Sequence, residues 1–387
     1  MPTPALDRLR ALADTALVVG FLAAICLPAA DALFDLDPTR LSEKRRLAPP
    51  PVVRLSQPLE VSYTAAFESW WNDSFGFRRS LVVGYSRALL ALGVSPTPSV
   101  IVGRSGWFFF AGDDALASYR AVQPFSEAEL ATWRRRIETR RDWLAERGIR
   151  YLVVIAPNKE TIYPEFMPGH LNRVRTVTRL DQLVTYLRAQ SSVAIVDPRE
   201  ALRAAKAGGA LYFRTDTHWN DAGAWLLYRE ILTSLRPWYP ELEPTPNTAF
   251  ARITRNGWSG DLATMLGLDG RLSEERLVLE PRSVRAARVA DPGPRPVDPQ
   301  RRLSAAEREM PSRLRVVMFH DSFGLSLQPF LSESFSRIVF SSGPTDWRLN
   351  FDPALIERER PALVIQEIAE RFAVGPTGLR AAAPAAP

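Results

Sequence analysis

The chain is poor in cysteine and in histidine. A single cysteine, Cys26, among 387 residues excludes an intrachain disulfide, so no covalent cross-link holds the fold. His170, His218 and His320 are its only imidazoles, and no Cys/His cluster has zinc spacing. No internal repeat is found. The net charge is +6, nearly all of the positive charge being arginine. These basic residues are dispersed among acids, and no aromatic-interleaved basic patch is present, which argues against nucleic acid as a partner. The excess fits acidic polysaccharide or anionic lipid headgroups equally well. At this length the expectation is one large domain or two smaller ones, with ample chain for a core.

Residues 15–30 carry no charge. Arg8 and Arg10 precede them, and Asp31, Asp35 and Asp37 follow. That asymmetry predicts a cytoplasmic N-terminus with the remainder exported. The run is slightly short of the roughly 20 residues of a full span. Ala30-Asp31-Ala32 resembles a small-residue cleavage site. Residues 1–36 are therefore read as an uncleaved membrane anchor, with a cleaved signal segment as the alternative. Residues 37–60, rich in Pro and Arg, read as a linker.

From residue 61 to 372 the pattern is one α/β domain. It opens with an aromatic, amphipathic segment carrying Phe67, Trp70, Trp71, Phe75 and Phe77, continuing through Leu81 to Leu92. Most of these aromatics, with Trp107 to Phe110 of the next segment, are expected to be core. Val100–Val102 and Trp107–Phe110, flanking Gly103 to Gly106, predict a hairpin. Ser126 and Glu129 form a capping box at the start of a helix with Leu130, Trp133, Ile137 and Leu144 on one side. Tyr151 to Ala156 is a continuous apolar run suited to a buried parallel strand. Further strands are expected at 193–196, 314–319, 337–341 and 363–366. Helices are expected at 178–190, after Asp197-Pro198, after Asn220 and around 353–358. Residues 281–311, rich in Arg and Pro, read as a surface excursion, and 373–387 as a disordered tail. Strands alternating with helices imply a doubly wound, mainly parallel sheet with helices on both faces.

In such sheets, sites form beyond the carboxyl ends of strands. Ser322 lies just past one. A strand-to-helix turn there exposes its hydroxyl, and nearby amides, including its own, can stabilise an oxyanion. A serine hydroxyl needs an adjacent base. Imidazole suits that role near neutral pH, and a carboxylate fixes its tautomer and stabilises the imidazolium. Asp216 and His218 offer both in one short stretch, Thr215-Asp216-Thr217-His218-Trp219-Asn220. Taken singly, Asp216 also reads as a capping residue, and Asp321 and Ser322 as an N-cap. His320, at the last strand position, is read as packing, and His170 as a loop residue. Asn158 and Lys159, after the first long strand, are candidates to donate to an oxyanion or to substrate, or else a solvated turn. Asp321 and His320 are weaker candidates for the same role. Asp216, His218 and Asp221 do not form a recognised metal-ligand pattern. Neither a metal nor a cofactor is expected. Gly260-Asp261 reads as a pocket-shaping element without an assigned mechanism.

Asp216-Thr217-His218-Trp219 followed by Asp321-Ser322-Phe323 resembles the AlgJ/AlgX-type polysaccharide O-acetyltransferases, whose domain is SGNH-hydrolase-like. Asn72-Asp73-Ser74-Phe75-Gly76-Phe77-Arg78 and Gly103 to Phe109 also fit the family. So do Pro157-Asn158-Lys159 with Tyr163-Pro164-Glu165, Gly260 to Ala263, and Val364-Ile365-Gln366-Glu367. The resemblance covers about residues 60–372. It implies Ser322 as nucleophile, His218 as base and Asp216 as orienting acid, with the Asp-x-His element ahead of the serine. It also implies work in the periplasm from the inner membrane, a polysaccharide acceptor and a membrane-bound acyltransferase as acetyl-donor partner. His320 stands where the Gly of a Gly-Asp-Ser motif is found. An esterase with the same three residues, or a non-catalytic polysaccharide-binding or assembly protein of the envelope, are the alternatives.

Overall fold

The computed structural model describes residues 4–39, 46–52, 61–283, 286–289, 302–309, 313–343 and 351–375. Most of the expected linker, part of the 281–311 excursion and the tail beyond 375 lie outside the described residues. The chain divides into two compact units. One is Met1–Thr97 with Ala263–Arg271; the other is Pro98–Leu262 with Leu272–Pro387.

The first unit is helical over its described N-terminal part. Helix α1 spans Pro4–Phe34. Its stretch Arg8–Asp31, 24 residues of mean hydropathy 2.0, is long and apolar enough to cross a membrane, and its most apolar 18-residue window has no buried residue. At 1.5 Å per residue it reaches about 36 Å, beyond the ~30 Å hydrocarbon core. The uncharged run at 15–30 understates the span because Leu9, Ala11 and Leu12 extend it past Asp14. Helices α2 (Val61–Ser74) and α3 (Arg78–Ala91) follow. Here the expectation of core aromatics fails at two positions: Phe67 is 42% and Trp71 48% exposed, whereas Trp107, Phe108 and Phe109 are buried. Amphipathic spacing specifies that a face is to be covered, but not by what.

The second unit is built on strands β1 (Val100–Val102), β2 (Phe108–Phe110), β3 (Arg150–Ala156), β4 (Ala194–Val196), β5 (Phe250–Trp258) and β6 (Glu274–Pro281), followed by β7 (Ala287–Arg288), β8 (Arg302–Glu307), β9 (Arg315–His320), β10 (Arg337–Ser342) and β11 (Leu363–Ala369). β1 and β2 form the expected antiparallel hairpin, and β5 pairs with β6. The central sheet runs β4-β3-β11-β9-β10-β8-β7. The first five strands are parallel; β8 and β7 join antiparallel at one edge. The 281–311 stretch is therefore not wholly an excursion. Ala305 and Ala306 are buried in β8; their small side chains give little hydrophobic periodicity to read. Ala373 and Val374 close a short helix, Glu370–Val374, and are not part of a tail.

The parallel order follows from composition. All seven residues of β11 and the last six of β3 are buried, as expected of strands covered on both faces. Surrounding helices start where polar caps allow. Ser126 accepts from the Glu129 amide at 3.3 Å while Glu129 Oε2 accepts from the Ser126 amide at 2.7 Å. Asn220 accepts from the Ala222 and Gly223 amides at 3.0 and 3.2 Å, opening Asp221–Leu235. Leu152, at 0% exposure in the middle of β3, tests the core. Leu152→Ala should lower unfolding free energy by about 2–5 kcal/mol, seen as a lower urea midpoint with an unchanged slope.

Candidate active site

β3, β11 and β9 lie side by side. Their carboxyl ends lead into Pro157-Asn158-Lys159, Glu370-Arg371 and Asp321-Ser322. This is the edge where open parallel sheets place ligands.

The turn after β9 is tied by its own acid. Asp321 Oδ1 accepts from the Phe323 amide at 2.9 Å, and Oδ2 accepts from the Ala369 amide at 2.7 Å at the end of β11. Glu367 Oε2 accepts from the Asp321 amide at 3.0 Å. Burial, reinforced by the negative charge of Asp321, pushes the Glu367 carboxyl well above its ordinary value. The 3₁₀ turn Ser322–Leu327 starts there, with Ser322 exposed. Gly324 permits the close return, since a Cβ on it would lie 2.4 Å from the Cβ of His320. His320 itself is fully buried. Its Nδ1 lies 2.6 Å from the Asp321 carbonyl and its Nε2 3.2 Å from Gln328 Nε2. Burial lowers its basicity. Its two ring nitrogens face the protein interior rather than Ser322, and its place is packing.

The stretch Phe213–Trp219 is mostly irregular and is held from all sides by side chains. Lys159, buried, donates its three ammonium hydrogens to the carbonyls of Phe213, Arg214 and Asp216 at 3.0, 3.1 and 2.6 Å. Burial pulls its pKa down to about 8, against the pull of Asp216, Asp261 and Glu274. Glu274 accepts from the amides of Arg214 and Thr215 at 2.9 and 2.7 Å. Asp261 accepts from the Thr217 amide at 2.8 Å and from its hydroxyl at 2.7 Å. Gly260 passes so close that a Cβ would lie 2.3 Å from the Thr215 carbonyl oxygen.

Within this frame Asp216 Oδ1 accepts from the His218 amide at 2.8 Å and lies 2.6 Å from His218 Nδ1. Its Oδ2 accepts from the Asp261 amide at 2.8 Å. Burial raises the carboxyl, but the His218 ring hydrogen bond and charge, with these amides, outweigh it and hold Asp216 at about 2. His218 Nε2 lies 2.8 Å from Ser322 Oγ. Phe323 packs on the His218 ring at 4.6 Å between centroids and edge-on to Trp219 at 4.9 Å. The loop at 215–220 and the turn at 320–324 therefore meet. Asp216, His218 and Ser322 form one chain of hydrogen bonds from a buried acid to an exposed hydroxyl.

The other candidates divide. Lys159 is committed to the loop carbonyls. The Asn158 amide donates to Glu370 at 2.8 Å. A recess of about 10 Å³ lies between Asn158, Lys159, Glu160, Thr217, Arg371 and Phe110, with Asn158 Oδ1 buried and without a protein partner. Asp221 is absent from this group; its carboxylate accepts from the Leu279 amide at 2.9 Å. His170 is exposed in a turn. Asp261 instead joins Asp216 and His218, with ligand atoms within 4.8 Å of one another. The carboxylate oxygens of both acids already accept bonds from the protein, which suits an orienting role better than a cation. Sequence reading missed the part played by Asp261 and Glu274 in holding the loop and by Glu367 in holding the turn after β9. Gly260-Asp261 and the Val364–Glu367 segment were conspicuous without an assigned mechanism; Glu274 carries no local signature.

Glu160 tests the electrostatics of this edge. Burial, with the charge of Glu370, pushes its carboxyl up to about 8. The folded state thus holds a proton there that the unfolded chain releases near pH 4.5, and the resulting stability is lost as pH rises toward 8. Urea unfolding at pH 5 and pH 8 should show the wild type losing stability across this window. Glu160→Gln should lose markedly less.

The family model described as the SGNH hydrolase-like domain of acetyltransferase AlgX matches residues 100–307. That is more than half of the chain; it includes Asp216 and His218 and ends before Ser322. The probable alginate O-acetylase AlgJ of Pseudomonas aeruginosa is 27% identical over 293 residues, 75% of this chain and 66% of that protein. AlgJ of Azotobacter vinelandii is 25% identical over 211 residues, 54% of this chain and 52% of that protein. The chain thus spans less than two thirds of the length of these relatives. Among solved structures, PatB1 of Bacillus cereus superposes with a TM-score of 0.53 at 14% identity, covering 71% of this chain and 97% of PatB1. A DHHW family protein of Eubacterium siraeum gives 0.51 at 15%, covering 72% and 93%. These two share the fold. With its mainly parallel sheet and the matched span together, the chain belongs to the family of the AlgX SGNH hydrolase-like domain.

Proposed function

We propose that this chain moves an acetyl group onto a polysaccharide hydroxyl through an acetyl ester on Ser322. The observation that carries this reading is the continuous chain Asp216–His218–Ser322. His218 Nε2 takes the Ser322 proton as Oγ attacks the acetyl carbonyl, and returns it to the departing donor oxygen. An acceptor hydroxyl then gives its proton to Nε2 and attacks the ester, and Ser322 Oγ leaves with that proton. Asp216, held ionised, fixes the Nδ1–H tautomer and stabilises the imidazolium between steps. The amide of Ser322 is the donor assigned to the oxyanion, because that of Phe323 is spent on Asp321 Oδ1. An acceptor sugar is supported by the AlgX family and by relatives named alginate O-acetylases. Anchoring by α1 in the inner membrane, with the remainder in the periplasm and a membrane-bound acyltransferase as donor, completes the proposal. It rests on the resemblance and on the apolar span of α1.

Ser322 is exposed, so water competes with the sugar and hydrolysis is expected as a side reaction. Incubation of the full chain with a chromogenic acetyl ester should place acetyl on the Ser322 peptide, read by mass spectrometry. Added oligosaccharide should divert product from acetate to acetylated sugar. Ser322→Ala and His218→Ala should each lower turnover by at least about 10³-fold. Full turnover in Ser322→Ala would end this reading. Failure of any oligosaccharide to divert product would leave an esterase.

Gly260→Ala tests the loop without touching a reacting group. A Cβ there would meet Thr215 and Asp216 at 2.3–2.5 Å, displacing the acid. Turnover of the same ester should fall by on the order of 10²-fold, with the urea midpoint much less affected than by a core truncation.

A further inference from the structure

The aromatic face of α2 has no place in the chemistry. Tyr63, Phe67, Trp71 and Phe75 recur every fourth residue and contact one another in series, the first two pairs stacked and the last edge-on, with centroids 6.5, 6.2 and 5.9 Å apart. Trp70 packs on Phe67 and Trp71 at 5.6 and 6.3 Å. In α3, Leu81 and Tyr85, one turn apart, are 56% and 61% exposed. A contiguous apolar patch of this kind marks an interaction site in a soluble setting.

What identifies the occupant is the attachment to α1. Asp31 closes the apolar stretch of that helix and is buried. Its carboxylate accepts from the Phe77 and Asp37 amides, each at 2.6 Å. Asp37 in turn accepts from the Ser80 amide at 3.0 Å and from its hydroxyl at 2.8 Å. Arg79 reaches Asp35 at 2.8 Å and the Asp37 carbonyl at 3.0 Å. Gly76, in the α2–α3 turn, lies so close to α1 that a Cβ would fall 1.9 Å from the Pro28 carbonyl oxygen. The turn of the hairpin is thus clamped onto the last turns of the span.

We propose that the α2–α3 hairpin is a second membrane element, lying in the headgroup region of the bilayer at the end of α1 with Phe67, Trp70 and Trp71 facing lipid. The inference rests on the reading of α1 as an anchor. Three observations favour lipid over a protein partner. The face carries Trp70, Trp71 and Tyr63 beside Phe67 and Phe75, and Trp and Tyr gather at membrane–water interfaces. It is fixed within about two helical turns of the point where a membrane span ends. The apolar window of the span has no buried residue, so the lipid that covers α1 is also the medium at its end.

The single native cysteine makes the test direct. In a Cys26→Ser background, Phe67→Cys, Trp71→Cys and, on the opposite side of α2, Ser69→Cys carry a polarity-sensitive bimane label. The full chain is reconstituted in phosphatidylcholine–phosphatidylglycerol vesicles. Labels at 67 and 71 should be blue-shifted and quenched several-fold more by nitroxide lipids than the label at 69, with iodide in the buffer acting in the opposite order. If 67 and 71 respond like 69 while the chain resists an alkaline carbonate wash, the hairpin inference is overturned and the anchor stands. Protection from iodide without quenching by nitroxide lipid would mean that a second copy covers the face, also overturning it. A chain removed by the wash sinks the anchoring reading, and this inference with it.

Discussion

The site depends on one carboxylate whose oxygens are fully engaged. Asp216 accepts from the His218 amide, the His218 ring and the Asp261 amide. Because one oxygen serves both the backbone and the ring of the same histidine, the carboxylate sets the path of the chain and the orientation of the imidazole together. A hydrogen bond to a charged group is worth about 1.5–3 kcal/mol, so several of them can hold an irregular loop that has no ladder of its own. The same bonds keep the acid ionised despite its burial. A single set of contacts therefore holds Asp216 both ionised and rigid.

The edge of the sheet is assembled by β11. Its last residues reach sideways to both neighbours. The Ala369 amide donates to Asp321, and Glu367 accepts from the Asp321 amide, fixing the end of β9. Glu370 accepts from the Asn158 amide and the Thr161 hydroxyl, fixing the end of β3. Burial raises the pKa of Glu160, Glu367 and Glu370. A protonated acid there costs less than a buried anion, so three acids can stand close to Asp216 and Asp321 without a full charge penalty. Lys159 offsets part of what remains, from beneath the loop.

How much of this could be read beforehand follows from the range of each interaction. β3, β9, β10 and β11 were legible because burial on both faces writes a continuous apolar run into each; β4, a partly exposed edge strand, showed only a short one. Asp216, His218 and Ser322 were legible because imidazole is scarce and because the serine follows a strand. The roles of Glu274 and Glu367 were not. They act on residues 46 to 60 positions away, and a lone acid in a strand has no local mark of what it holds. The aromatics of α2 were misjudged for a related reason: periodicity defines a face and leaves its cover unspecified. The edge strands β7 and β8 escaped notice because alanine and arginine carry almost no alternation.

One device recurs, and it answers the absence of disulfides. Asp31, Asp37, Asp216 and Asp321 each accept main-chain amides, and Asp31, Asp216 and Asp321 each join two segments in doing so: α1 to the α2–α3 turn, the 215–218 loop to Gly260-Asp261, and the β9 turn to β11. Such a staple needs only one short side chain and two amides aimed at it, so it can be placed in turns where no apolar packing is available. It also differs from a disulfide in being conditional. Protonation removes the charge that makes these bonds strong, and at Asp37 and Asp216 the folded surroundings favour the ionised form. At the Ser322 turn and at the His218 loop, the groups that cross-link the fold are therefore the groups that set the electrostatics of the site.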